Sequence, residues 1–158
     1  MASVGMATAT SSERAQQVNE RIAVSKMVAA GRARAGARWF YWIASLSLIN
    51  SLVVMSGGNV HFVIGLGISS VVDAMAKRVG AFGTILDLVI NGFEAGVLVL
   101  FGVLASKAQR WAFVLGMALY AADAILLLLL KDYVAVGFHA YALWAIYRGY
   151  QAAQQIQW

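Results

Sequence analysis

The chain of 158 residues contains no cysteine and no proline, and only 12% of its residues are charged. The lack of cysteine excludes disulfides, thiolate metal sites and cysteine nucleophiles. The lack of proline removes a common cause of helix kinks, while 15 glycines allow helices to pack closely. Hydrophobic residues make up 61% of the chain and are concentrated in long segments. The composition therefore predicts an all-α integral membrane protein.

Familiar catalytic patterns are missing as well. The two histidines, His61 and His139, are not at the spacing of a helical zinc site, and their segments are predicted to place them at opposite depths. No nucleophile elbow accompanies the serines. Gly65-Leu66-Gly67 lacks the strand and turn of a nucleotide-binding loop, so these glycines indicate close helix packing instead. The sequence predicts no enzymatic activity and no cofactor, although a bound cation is compatible with it.

Residues 1–38 are the only extended polar part of the chain and are predicted to be a basic cytoplasmic arm. Residues 10–13, TSSE, have capping-box spacing, which predicts an amphipathic helix to about residue 30. Its thin apolar side could bind anionic lipid headgroups or a partner, or the arm could simply be solvated. Arg32, Arg34 and Arg38 precede the first apolar segment, which predicts an inner-membrane protein with its N-terminus inside. The net charge of +5 thus encodes orientation and does not indicate a nucleic-acid partner.

Five apolar segments predict a five-helix transmembrane bundle over residues 39–158. The segments comprise residues 39–55, 60–76, 81–105, 111–130 and 133–150. Residues 60–76 would form a helix of roughly 26 Å, which could span the membrane or be re-entrant. Nine of the 12 basic residues would lie inside with either five or four spans, so charge does not decide between them.

An internal resemblance favours five spans. Residues 62–66, FVIGL, are echoed by residues 113–117, FVLGM, and each motif is followed by an Asp-Ala pair, at residues 73–74 and 123–124. This pattern predicts a duplicated helical hairpin with a fifth helix added. Because matching hairpins would share one orientation, residues 60–76 are expected to span.

One apolar segment, residues 81–105, carries a polar stripe. Asp87, Asn91 and Glu94 lie at positions i, i+4 and i+7, so they share one face of the predicted helix. An ionised carboxylate at membrane depth costs roughly 2.5–3.5 kcal/mol, so this face should meet protein, water or a ligand. Gly92 and Gly96 form a small-xxx-small pattern that would let another helix approach Glu94 closely.

Three further ionisable residues are predicted at a similar depth, namely Asp73, Asp123 and His139. Tyr120 lies three residues before Asp123 and could form a hydrogen bond with it. Carboxylates and an imidazole drawn from four helices could bind a cation or relay protons. The alternative is that these groups only form hydrogen bonds between helices.

The leading functional prediction is a small proton- or cation-coupled transporter or channel that uses these polar residues. The alternative is a non-catalytic accessory or scaffold subunit of a larger membrane complex. A membrane-embedded enzyme acting on lipid comes third, because a nucleophile or metal triad is lacking. Since so small a bundle buries little interior, we expect a homo-oligomer or assembly with other membrane subunits.

Overall fold

The computed structural model of the protein describes residues 2–55, 67 and 81–156. These residues form four helices and no strand, so the predicted all-α fold is confirmed for the described part of the chain. The helices are α1, Ala2–Met55; α2, Ala81–Ser106; α3, Arg110–Leu129; and α4, Tyr133–Gln154.

The two short turns, between α2 and α3 and between α3 and α4, have the same backbone geometry. Ala108 and Lys131 follow the helix ends with φ angles of 57° and 62°, in the left-handed region. The N–H of Gln109 donates to the carbonyl of Leu104 at 3.3 Å, and that of Asp132 donates to the carbonyl five residues earlier at 3.1 Å. This is the Schellman arrangement, which ends a helix and reverses the chain. Consecutive helices are therefore antiparallel neighbours.

Helices α1 and α4 are also antiparallel and make very close contact. A Cβ atom added to Gly36 would lie 2.5 Å from the Cα of Gly149, so only glycine fits at this crossing. Further along α1, the ring of Trp39 packs edge-on against Tyr141, with ring centroids 5.3 Å apart. Because α4 is antiparallel to both α1 and α3, α1 and α3 run in the same direction and α2 runs against them.

The four described helices do not match the predicted five-helix bundle. Tyr41 of α1 packs on Gly102, near the end of α2. Since the two helices run in opposite directions, residues 55 and 81 lie at the same end of the bundle. The predicted span over residues 60–76 lies outside the described residues, apart from Gly67.

The core is built around one aromatic residue of α1. Phe40 is completely buried, and its ring centroid lies 6.1 Å from that of Phe101 and 6.4 Å from that of Phe113. Gly116 of α3 makes room for this ring. The buried stripe of α1 begins at Ala29, and the helix continues through the predicted boundary at residues 38 and 39 without a break. The bundle therefore includes the last part of the predicted arm.

Two of the described helices are long and apolar enough to cross a membrane. The segments are Leu88–Ser106, with 19 residues, and Arg110–Leu129, with 20 residues. At 1.5 Å per residue each is about 30 Å long, which matches the hydrocarbon core of a bilayer. Only 33% of each segment is buried within the protein. Large apolar side chains such as Leu100, Leu115 and Leu119 lie on the outer surface.

Candidate functional site

Two deeply buried ionisable side chains among the described residues form a pair between α3 and α4. Asp123 is 4% exposed and His139 is 1% exposed. The Nε2 atom of His139 lies 2.9 Å from Oδ2 of Asp123. The same oxygen accepts the backbone N–H of Gly67 at 2.8 Å. Two residues that the sequence predicted at a similar depth are thus in direct contact.

The hydrogen bonds of this pair define its proton content. The Nδ1 atom of His139 lies 2.9 Å from the carbonyl oxygen of Ala135. A carbonyl only accepts, so Nδ1 must carry a proton. One further proton then lies between Nε2 and the carboxylate, giving either an ion pair or a neutral imidazole with a neutral acid. Both forms have zero net charge, which is what a low-dielectric site tolerates.

Tyr120 covers the imidazole. Its ring stacks on that of His139 with centroids 4.1 Å apart and planes 15° from parallel. Its hydroxyl is buried and has no hydrogen-bond partner among the described residues. The predicted Tyr120–Asp123 hydrogen bond is therefore not formed, because the ring lies over the histidine instead.

A cavity of about 290 Å³ opens beside this pair, between α2 and α3. Most of its lining is apolar, including Phe93, Val97 and Leu126. Its polar lining comes from Glu94, Tyr120 and Asp123, with Glu94 reaching the cavity from α2. Apolar walls with a few convergent polar groups are typical of small-molecule binding sites.

The other predicted site residues lie elsewhere or outside the described part. Asp73 and His61 belong to the residues that the structure does not describe, and Asp87 is described only in its helical backbone. Asn91 is completely buried in α2. The structure therefore brings Asp123 and His139 into contact and places Glu94 at the same cavity. In the described chain, no group of three His, Asp or Glu side chains has the geometry to hold a metal ion.

The two glycines of α2 that were predicted to pack against another helix make no close contact with a described residue. Gly92 and Gly96 are exposed, and no described atom lies within 4 Å of a Cβ added to either. The close helix contact in the described part is made by Gly36 and Gly149, of which only Gly149 lies in a small-xxx-small pattern, with Ala145 and Ala153. Small residues at a four-residue spacing thus permit close packing but do not specify where it occurs.

Sequence reasoning missed two features of the site region. Ser47, Asn50 and Ser51 are buried polar residues of α1, and they continue the three-to-four-residue spacing of its apolar buried stripe. That periodicity was a usable signal. Gly67 was interpreted only as a packing glycine, and no sequence pattern indicated its hydrogen bond with Asp123.

A comparison with protein-family models, with curated proteins and with solved structures found no match to this chain.

Proposed function

We propose that this protein is a membrane-embedded carrier that exchanges protons for a lipophilic cation. The Asp123–His139 pair would hold the exchangeable proton, and the cavity between α2 and α3 would hold the cation. The observation that carries the proposal is that Asp123, whose carboxylate lies 2.9 Å from the imidazole of His139 and shares one proton with it, also lines an apolar cavity. Loss of the proton gives the pair a charge of −1, which a bound cation would neutralise.

The exposed surface supports placement in a membrane. Many large apolar side chains face outward, and two helices match the thickness of a bilayer. The four described tryptophans lie at the end of the bundle where the buried stripe of α1 begins, as in an interfacial aromatic belt. They are Trp39, Trp42, Trp111 and Trp144.

The distribution of charge supports a cytoplasmic location for this end, in an inner membrane. Of the ten basic residues in the described part of the chain, only Lys131 lies at the opposite end. The other nine are Arg14, Arg21, Lys26, Arg32, Arg34, Arg38, Lys107, Arg110 and Arg148. Under the positive-inside rule, both the N-terminus and the end of α4 would then be inside.

The cavity suggests the class of molecule carried. Its walls favour an apolar body, while Glu94 and Asp123 provide carboxyl groups for a positive charge. Stacked on His139, Tyr120 presents a ring that could also attract a cation. A rigid, mostly apolar cation fits these features better than a small hydrated metal ion.

The test is exchange in proteoliposomes. Vesicles with an acidic interior and a trapped pH dye receive ethidium outside, as a lipophilic cation probe. Wild-type protein should take up ethidium and make the interior more alkaline at least fivefold faster than empty vesicles. Equal rates in protein-containing and empty vesicles would contradict the proposal.

The matched variants are Asp123→Asn and Asp132→Asn, which make the same chemical change at two sites. Asn at 123 lacks the exchangeable proton, so exchange should fall to the rate of empty vesicles. Asp132 lies in the turn before α4, where its carboxylate accepts the N–H of Ala135 at 3.1 Å, and its variant should keep the wild-type rate. Elution volume and helix content check that both variants fold. Undiminished exchange by folded Asp123→Asn would exclude this carboxylate as the proton carrier.

The second candidate is an accessory subunit of a larger membrane complex, and the first part of α1 favours it. Almost all of residues 11–28 are exposed, and they extend for about 27 Å as a helix. Val18, Ile22 and Met27 are among its exposed apolar side chains. On α2, Phe93 is 72% exposed between Gly92 and Gly96, which offers a surface for a helix of another subunit or of a second copy.

Native mass spectrometry of gently extracted protein separates these candidates. A carrier that works alone should give integer multiples of 16.9 kDa. An accessory subunit should bring other chains, which are lost on deletion of residues 2–28 and retained on deletion of residues 2–10. Loss of no partner on either deletion would contradict a docking role for this helix.

A further inference from the structure

We propose that a groove between α1 and α4, at the basic end of the bundle, is a binding site for one anionic phospholipid. The groove has a volume of about 390 Å³. Arg32 lines it from α1 and Arg148 lines it from α4. Its floor includes Gly36 and Gly149, where the two helices touch. This close crossing is what places one arginine on each wall of the same groove.

The polar lining of the groove suits a phosphate group. Guanidinium groups bind phosphate oxygens through two parallel hydrogen bonds, so arginines on opposite walls of the groove suit the oxygens of one phosphodiester. The amides of Gln151 and Gln155 add further donors. None of the described residues that line the groove is acidic, so no carboxylate competes for the arginines there.

One of the arginines is already oriented. The guanidinium of Arg148 lies over the indole of Trp144, with its central carbon 5.0 Å from the ring centroid. A cation–π contact of this kind uses the flat face of the guanidinium and leaves its N–H edge available for an anion. Arg148 can therefore bind a headgroup with little loss of side-chain freedom.

The apolar part of the site distinguishes a lipid from a soluble anion. Trp39 and Ala35 line the headgroup groove and also line a second cavity, of about 420 Å³, which continues along α1. Trp42, Leu46 and Phe138 line that second cavity, together with Arg38. From Trp39 to Leu46 the helix rises about 10 Å, which is most of the way to the bilayer midplane. A lipid whose headgroup binds Arg32 and Arg148 would thus place its acyl chains along this second cavity, which runs from the groove toward the bilayer midplane.

The test is lipid binding to the full-length protein by native mass spectrometry in mild detergent. Phosphatidylglycerol and phosphatidylcholine of identical acyl chains are titrated separately. Wild-type protein should bind one phosphatidylglycerol at least tenfold more tightly than phosphatidylcholine. Equal affinity for the two lipids would overturn the proposal. Glycerol phosphate and inorganic phosphate, added at millimolar concentration, test the soluble source. Displacement of the lipid by either would assign the site to a free phosphate and overturn the lipid assignment.

Matched charge variants test the location. Arg32→Gln with Arg148→Gln should weaken phosphatidylglycerol binding at least tenfold. Arg34→Gln with Lys107→Gln removes the same charge at the same end but outside the groove, and should weaken it less than twofold. Equal losses in both double variants would show attraction to surface charge alone. Arg148→Lys keeps the charge but not the paired hydrogen bonds, so an intermediate loss is expected. Unchanged binding by both Arg148→Lys and the groove double variant would also overturn the proposal.

Discussion

Helix α4 makes a different kind of contact on each of its two sides. Toward α1, Gly149 meets Gly36 so closely that a Cβ on either would lie about 2.5 Å from the other's Cα. Toward α3, the contact passes through His139, whose ring is bonded to Asp123 at 2.9 Å and stacked on Tyr120. The contact with α1 thus depends on close backbone packing, and the contact with α3 depends on a hydrogen bond that shares one proton.

The difference separates stability from chemistry. A glycine crossing has no titratable group, so it can only be present or broken. A neutral pair that holds one proton can gain or lose charge without a change of helix position. The cavity of about 290 Å³ between α2 and α3 reaches Asp123, the partner of His139, whereas Gly36 and Gly149 are in direct backbone contact. We infer that the glycine contact keeps α4 in place while the pair changes its protonation.

Removing the carboxylate of the Asp123–His139 pair should have the largest effect on the free energy of unfolding. Asp123→Ala would leave the Nε2 atom of His139 and the N–H of Gly67 buried without their acceptor group. Each of the two orphaned groups costs about 1–3 kcal/mol, so the free energy of unfolding should fall by about 2–6 kcal/mol. Denaturant unfolding in mild detergent, followed by circular dichroism, measures it.

Asp132→Ala is the control for that change, because it removes a carboxylate of the same size that caps α4 at a half-buried position. Loss of a cap costs about 1 kcal/mol. If the two variants lost the same free energy of unfolding, the buried pair would stabilise the protein no more than the helix cap does. The two sides of α4 would then not differ in the way described.

Disrupting the glycine contact between α1 and α4 should have the next largest effect on the free energy of unfolding. Gly149→Ala places a methyl group against the backbone of Gly36, and backbone cannot move aside as a flexible side chain can. Overpacking of this kind costs about 1–3 kcal/mol. The same denaturation measurement checks it. Gly31→Ala is the control, since it adds a methyl group into open space on α1 and should raise stability by about 0.5–1 kcal/mol. Equal effects of the two changes would mean that the helices do not cross at Gly149.

A third change alters the contact between α3 and α4 without removing the Asp123–His139 pair. Tyr120→Phe keeps the stack on His139 and removes a buried hydroxyl that has no hydrogen-bond partner among the described residues. Stability should rise by about 1 kcal/mol, because an unsatisfied buried hydroxyl is costly. Ethidium exchange should fall at the same time if the hydroxyl serves a bound molecule. A loss of stability would instead indicate that the hydroxyl is satisfied within the protein.

The site residues were easier to predict from sequence than their contacts. Asp123 and His139 stand out because ionisable residues are rare in apolar segments. Their pairing follows from the turn, since each lies eight residues from Lys131 and a tight antiparallel hairpin places equidistant residues opposite each other. Hydropathy predicts only a similar depth for the two residues, and their contact follows only when the symmetry of the hairpin about Lys131 is added.

The close helix crossing could not be predicted in the same way. Gly36 and Gly149 are far apart in the chain, and the Ala145-xxx-Gly149-xxx-Ala153 pattern of α4 does not indicate which helix it contacts. Gly92 and Gly96 have the motif and yet remain exposed. Long-range packing depends on how whole helix surfaces fit together, and a local pattern in one helix contains only half of that information.

The smallest expected effect concerns the turn that positions α4 for both of its contacts. Lys131 has a φ of 62°, a conformation that costs an L-residue roughly 1 kcal/mol relative to glycine. Lys131→Gly should therefore raise the free energy of unfolding by a few tenths of a kcal/mol, after the greater freedom of glycine in the unfolded chain is subtracted. Lys107→Gly is the matched control in the other turn, where the left-handed position belongs to Ala108, and it should give no gain. A gain in both variants would mean that lysine charge, and not backbone strain, limits stability at the turns.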